Sequence, residues 1–249
     1  MAAIQVFLTP AAGKRLIARA LANRPDVQYA AREHTVVIVE GSTNSYLATE
    51  LLKTLGDDSF EPRGFYRGLL KPAKAQRTVK PRDEDAVICK GALQKGKTIF
   101  DVAEQLGPQD MIFKGANAVR LVDGTAGVII GNPTSGTVAP IAAAVLGRRT
   151  QLIHPMGVEK RVEEPIHALA EICNRAGCAG FRLYPSPGRA YTELDALREL
   201  CGVQARIMAG GGVGGYEGGC YFLCEGDAES LRECRAVTQE LADTPLYEL

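Results

Sequence analysis

Short, continuous apolar runs recur along this chain, each stopped by a polar or glycine-bearing loop and followed by sequence of helical period. The runs are 35–39 (TVVIV), 86–89 (AVIC), 111–113 (MIF), 126–130 (AGVII) and 151–153 (QLI). Runs this short, this apolar and largely β-branched suit strands buried on both faces rather than strands with one wet side. Between them, Leu47, Leu51, Leu52 and Leu55, then the segments 98–106 and 138–146, carry the spacing of helices. A strand that is apolar on both sides needs a cover on each. The alternation therefore predicts an α/β fold: a mostly parallel, Rossmann-like open sheet with helices on both faces.

The flanks add detail. Thr9-Pro10 supplies a cap and a proline at the first helical position, and Leu16, Ile17, Ala20 and Leu21 follow at helical spacing. A long helix is expected from about Glu159 to Ala176, kinked near Pro165. Beyond Gly177 the order changes to strand (180–184), helix (191–200), strand (204–208), a glycine run (210–219), strand (220–224) and helix (227–241). That order predicts a small C-terminal ferredoxin-like α+β unit. The expected division is thus 1–176, an α/β ligand-binding domain, and 177–249, the smaller unit. Residues 57–83 break the pattern with prolines, glycines and scattered basic side chains. They form either a hairpin-bearing excursion or a mobile flap.

Charge and cysteine content narrow the function classes. Lys plus Arg and Asp plus Glu are 29 each, so bulk charge gives no reason to expect nucleic acid or an anionic membrane. No apolar run nears the ~20 residues of a membrane span, and the first residues do not read as an export signal, so a cytoplasmic protein is expected. Seven cysteines, an odd and scattered set, favour reduced thiols over a disulfide framework. Cys173 with Cys178 and Cys220 with Cys224 lack the further ligand and turn of a metal knuckle, so no metal is expected; nor is any cofactor.

Three loops that end strands carry the candidate chemistry. Gly41-Ser42-Thr43-Asn44 combines a turn-permitting glycine, two hydroxyls and a helix N-terminus, all suited to phosphate or carboxylate, although the same residues also serve as caps. Lys114-Gly115-Ala-Asn117 ends a buried strand with a cation, which is costly there unless paired or turned to a ligand. Asn117 can orient a hydroxyl or carbonyl. Asn132-Pro-Thr-Ser135-Gly136-Thr137 repeats the strand, loop and helix start, with Ser135 and Thr137 as donors to an anion. Glu159 and Lys160 follow the run 151–153 as a candidate acid/base and charge stabiliser, and Asp123 and Glu40 are further acids close to these loops. His154 has no carboxylate or nucleophile beside it in sequence and reads as structural. The glycine run 210–219 lacks the strand-turn-helix context of a dinucleotide site.

On these residues the chain resembles the superfamily of ribose-5-phosphate isomerase, glucosamine-6-phosphate deaminase, methylthioribose-1-phosphate isomerase and CoA-transferases (NagB/RpiA/CoA-transferase-like). The segment Val39-Glu-Gly-Ser-Thr43 resembles the phosphate-holding Gly-Ser-Thr loop of the isomerases. The stretch 110–117, followed by Asp123-Gly, resembles their Gly-Ala-Asp strand end and the turn after it. Residues 132–137 resemble their Asn-Lys-x-Gly-Thr loop. Asn117 stands where those isomerases carry an aspartate, and Pro133 or Thr134 where they carry the lysine. The resemblance implies a small phosphorylated or other anionic metabolite as ligand, a homo-oligomer, and isomerase-type proton transfer next to a carbonyl. Alternatives are a non-catalytic metabolite-binding or sensing protein, or a CoA-ester-related transferase. In the enzyme reading Lys114, Asp123, Glu159 and Lys160 carry the chemistry. Gly41, Ser42, Thr43, Asn44, Gly115, Asn117, Asn132, Ser135, Gly136 and Thr137 hold the substrate.

Overall fold

The computed structural model describes residues 2–67, 82–214 and 216–245. Its large sheet is built from β2 (Thr35–Ile38), β3 (Ala86–Cys89), β4 (Ala92–Leu93), β5 (Met111–Phe113), β6 (Ala118–Arg120), β7 (Thr125–Ile130), β8 (Gln151–Pro155) and β9 (Arg182–Tyr191). The spatial order is β4-β3-β2-β5-β8-β9-β7-β6. Neighbours β2, β5, β8 and β9 run parallel, while β3 and β4 on one side and β7 and β6 on the other run antiparallel. The sheet is therefore mixed rather than mostly parallel. Its flanks are tight hairpins, such as the one closed by Lys90 and Gly91, both with positive φ, and short hairpins enforce antiparallel pairing.

Helices cover both faces, and the strand pleat sorts the side chains between them. Val36 and Ile38 of β2 with Met111 and Phe113 of β5 join one core, which includes Leu16, Ile17 and Leu21 of α1 (Pro10–Asn23). Leu47, Leu51 and Leu52 of α3 (Ser42–Thr54) complete that layer, and α2 (Pro25–Glu33) adds Val27, Ala30 and Ala31. The intervening residues, Val37 and Ile112 with Val39, face the second core, which holds Ile99 of α4 (Ile99–Val102) and Ile141 of α5 (Val138–Ala142). Fully burying each such leucine or isoleucine stabilises the fold by about 1.5–3 kcal/mol before entropy is counted. Thr9 caps α1 by accepting from Ala12 N at 3.1 Å, as the Thr-Pro signal implies.

A second sheet has the order β1-β11-β10, with β1 (Ala2–Leu8), β10 (Gln204–Gly210) and β11 (Cys220–Gly226) all antiparallel. Two expectations change here. The strand expected at 180–184 belongs to β9, which lies between β8 and β7 in the large sheet. The small sheet instead recruits the N-terminal β1, so the C-terminal segment makes no self-contained sheet and the chain does not divide its sheets at 176–177. The apolar side chains of β11, α7 (Glu193–Cys201) and α8 (Ala228–Leu241) share one core with α1 and α3, which removes the reason for a separate unit.

The helix expected from Glu159 begins only after Pro165, as α6 (Ile166–Cys173), because proline supplies no amide for an earlier turn. Of the 57–83 excursion, residues 68–81 lie outside the described residues. In its described part Gly64, Phe65 and Tyr66 are buried, with Phe60 edge-on to Phe65, while Asp58, Ser59, Glu61, Arg63 and Arg67 are exposed. All seven cysteines are free, and among the described residues no helix is long and apolar enough to cross a membrane.

Candidate functional site

Parallel pairing aligns Ile38, Phe113 and Ile153 across β2, β5 and β8, so the residues that follow these strands emerge side by side. After β2 come Glu40 and the Gly41–Asn44 turn, after β5 the segment 114–117, and after β8 the segment that holds Lys160. All three open into one cleft of about 810 Å3. The third expected loop, 132–137, also lines it, but by another route. It leaves β7, which runs against the central strands, so it does not belong to their C-terminal edge. Asn117 joins the two elements: its N–H donates to Gly127 O at 2.8 Å and its Oδ1 accepts from Ile129 N at 3.1 Å. Ser135 and Gly136 both have positive φ, which turns this loop back toward α5.

The cleft gathers Lys14, Lys114, Lys160, Arg67 and Arg82 against Glu40 and Asp83, five cations and two carboxylates among the described residues. Its charges are unevenly satisfied. The Glu40 carboxyl is buried; Oε2 lies 2.5 Å from Arg67 Nε, and Oε1 has no hydrogen-bond partner among the described residues. Asp85, also buried, accepts from Glu40 N at 3.0 Å and Ile99 N at 2.8 Å, with Arg67 Nη1 at 3.6 Å. Burial pushes Glu40 up to about 7, Arg67 opposes the shift, and Asp85 and Asp83 add to it.

Lys114 is half-buried at the mouth of β5, and its ammonium has no hydrogen bond or ion pair among the described residues. Burial lowers it to about 8; Asp85 opposes this, while Arg67 and Lys160 reinforce it. Its backbone is held firmly. The N–H donates to Ile153 O at 3.1 Å, and the carbonyl accepts from His154 Nδ1 at 2.5 Å. His154 Nε2 lies 2.7 Å from Ser186 Oγ, and in the neutral ring it accepts from that hydroxyl. Burial holds His154 down at about 4. The histidine is structural, as its sequence context implies.

Several expected site residues act on the cleft from its walls. Lys160 Nζ donates to Ala116 O at 2.9 Å and so clamps the Lys114 loop. Asn44 turns into the sheet, where its Nδ2 bridges Val39 O at 2.7 Å and Phe113 O at 3.0 Å. It therefore latches the ends of β2 and β5 together, while its Oδ1 has no hydrogen-bond partner among the described residues. Asn132 Oδ1 closes its own loop by accepting from Thr134 N and Oγ1. Gly41 caps α3 without a side chain, so the first amides of that helix keep no side-chain acceptor. Ser42, Thr43, Gly115, Ser135, Gly136 and Thr137 line the cleft as expected.

Two expected acids lie elsewhere. Asp123 sits in the β6–β7 turn, pairs with Arg120 at 2.7 Å and accepts from Thr125 N and Oγ1; these bonds hold it down at about 2. An Asp-Gly turn between antiparallel strands points away from the ends of the central ones. Glu159 does not line the cleft but folds back on Gly157, within Coulomb range of Lys14, Lys160 and the buried Glu193. Conversely, the sequence pattern marks neither Lys14 nor Tyr66, and marks Arg67 only as one of the scattered basic residues of the 57–83 excursion. Glu40 carries the same signal as Lys114, a charge ending a buried apolar run, and that signal finds it. Lys14 sits in an amphipathic helix and Arg67 in an aperiodic loop, where nothing in the pattern singles either out from its neighbours.

No family model, curated protein or solved structure matches the chain.

Proposed function

We propose that the cleft binds a small phosphorylated or otherwise anionic metabolite and moves a proton at a carbon next to its carbonyl, as an isomerase-type enzyme. The observation that supports this reading most is the lining of one cleft by three separate loops with an excess of cations, beside a buried carboxyl left half-satisfied. Free amides at the start of α3 with Ser42 and Thr43, and the hydroxyls of Ser135 and Thr137, receive the anion. Lys114 stabilises negative charge as it develops on the carbonyl oxygen, and Asn117 orients the substrate through its remaining amide. The proton carrier is Glu40. Held at about 7, it exists in both protonation states at neutral pH, which suits an acid/base group. Four parallel central strands covered on both faces favour the Rossmann-like reading and the superfamily resemblance.

A thermal-shift screen of sugar phosphates, carboxylates, nucleotides and CoA esters tests the site, and NMR of each hit in D2O tests the chemistry. Stabilisation by a phosphorylated carbonyl compound, with deuterium entering the carbon beside the carbonyl, is expected. Absence of any stabilising anion would overturn the reading. A second reading, a non-catalytic metabolite-binding protein, draws on Asn117 standing where an acid would act. Binding without deuterium exchange would favour it.

A further inference from the structure

Lys114 is unusually placed for a lysine whose task is to attract charge. Its backbone is fixed on both sides, by Ile153 O and by the buried neutral His154. Its side chain lines the cleft, and its ammonium has no acceptor among the described residues. Among the other cations there, Lys160 holds Ala116 O, Arg67 holds Glu40 and Asp85, and Arg82 holds Glu84 and Glu61 O. Lys14 also has no hydrogen bond or ion pair among the described residues, but it stands on α1 within the fields of Lys160, Glu159 and Glu193 and not at a strand end adjoining that of Glu40. Glu40 stands at the end of the adjoining strand, two residues past Ile38, whose register partner Phe113 directly precedes Lys114. Among the described residues the cleft thus presents, at the ends of two adjoining strands, an unpaired primary amine and a carboxyl with an unpartnered oxygen.

We propose that Lys114 is a nucleophilic amine that condenses with the carbonyl carbon of an anionic aldehyde or ketone to form an iminium ion. The inference rests on the anion-binding reading of the same cleft and changes the role of Lys114 from electrostatic to covalent. The ammonium first loses its proton to solvent. The nitrogen lone pair then forms the C–N bond as the carbonyl π pair moves to oxygen, and a proton passes from that nitrogen to the oxygen, which gives a carbinolamine. Its hydroxyl leaves as water with the proton of the Glu40 carboxyl, and the C=N bond forms. The Glu40 carboxylate next takes a proton from the neighbouring carbon, the C–H pair forms a C=C bond, and the C=N π pair moves to nitrogen, which gives an enamine. Reprotonation and hydrolysis by one water restore the carbonyl and the amine. Because burial brings Lys114 to about 8, about a tenth of it is free amine at neutral pH, against well under a thousandth for an exposed lysine.

The full chain is incubated with pyridoxal 5′-phosphate, an anionic aldehyde, and the imine is reduced with sodium borohydride before peptide mapping by mass spectrometry. One equivalent of label on Lys114 is expected, lost when inorganic phosphate competes, and at least ~10-fold weaker with unphosphorylated pyridoxal. Lys114→Arg keeps the cation but cannot form the imine; it should remove the label yet retain stabilisation by inorganic phosphate. Label on Lys14 or Lys160, or spread evenly over exposed lysines such as Lys53 and Lys95, would overturn the proposal. The wild-type map decides even if Lys114→Arg does not fold. If inorganic phosphate still stabilises the wild-type protein while Lys114 stays unlabelled, the covalent step fails and the anion site stands. If it gives no stabilisation, the anion site fails as well.

Discussion

Two clefts of similar size, about 810 and about 740 Å3, open on this molecule, and they differ in how their charges are satisfied. In the smaller one, lined by Asp123, Asp195 and Arg198, both acids are engaged in short local bonds. Asp123 meets Arg120 and Thr125, while Asp195 meets Arg198 at 2.8 Å and closes a capping box with Thr192. These are exposed or turn-bound pairs, which contribute little to stability, and a further cation there, Arg189, is exposed to water. In the larger cleft Glu40 and Lys114 are withdrawn from water and incompletely paired. Volume does not separate the two. Unfinished electrostatics does, because a buried group without its partner is costly and persists where something else completes it.

The comparison can be broken in several ways, beginning with catalysis. Glu40→Gln should lower deuterium exchange into a turned-over substrate by about 10²–10⁴-fold, read by NMR, with binding retained. An unchanged rate would remove Glu40 as the proton carrier.

His154 gives the largest expected effect on stability. Its folded value of about 4 lies below the ordinary 6.5, so the unfolded chain binds its proton first as pH falls. Stability from this group is therefore complete above 6.5 and lost progressively down to about 4, by roughly 3 kcal/mol. Glu40 works the other way, since its raised value adds stability as pH falls from about 7 to 4.5. Urea titrations of wild type against His154→Gln across this range isolate the histidine; parallel curves would contradict the assignment.

Lys114→Met should stabilise the protein at pH 7 by about 1–3 kcal/mol while abolishing stabilisation by anions. The depressed folded value means that the burial cost is present below about 8 and relieved as pH rises toward 10.5, so the variant's advantage should shrink over that window. A destabilised variant would show the amine to be structural. Asn44→Ala, which removes the latch between β2 and β5, should cost about 1–3 kcal/mol in chemical denaturation. Asp123→Asn marks the low end: no change in anion stabilisation of the larger cleft, measured in the same thermal-shift assay.

Much of this was legible from the chain. The apolar runs located the buried strands β2, β3, β5, β7 and β8, and a lysine ending one of them marked the cleft. A capping signal located α1, and the expected final helix is α8, where Asp227 accepts from Ser230 N at 2.8 Å. Less legible were β1, a half-exposed edge with alanine and glutamine in it, and the short β4 and β6, which are set by hairpins rather than by apolar content. Among site residues, Ser42, Lys114, Asn117 and Thr137 do meet in one cleft. Asp123 does not, because an Asp-Gly pair reads alike in a hairpin turn and in a loop at a strand end.

The sequence by itself determined which segments are buried and which loops are polar, since burial of apolar side chains follows local composition and period. Strand neighbours, and therefore charge neighbours, were decided only in three dimensions. Pairing β9 with β8, and sending β1 to β11, depends on contacts between residues far apart in the chain, on which periodicity is silent. The raised Glu40 and the lowered Lys114 depend on the same contacts: desolvation and Coulomb fields come from whatever surrounds a group, and Arg67, Asp85 and Lys160 reach it only once the chain has folded.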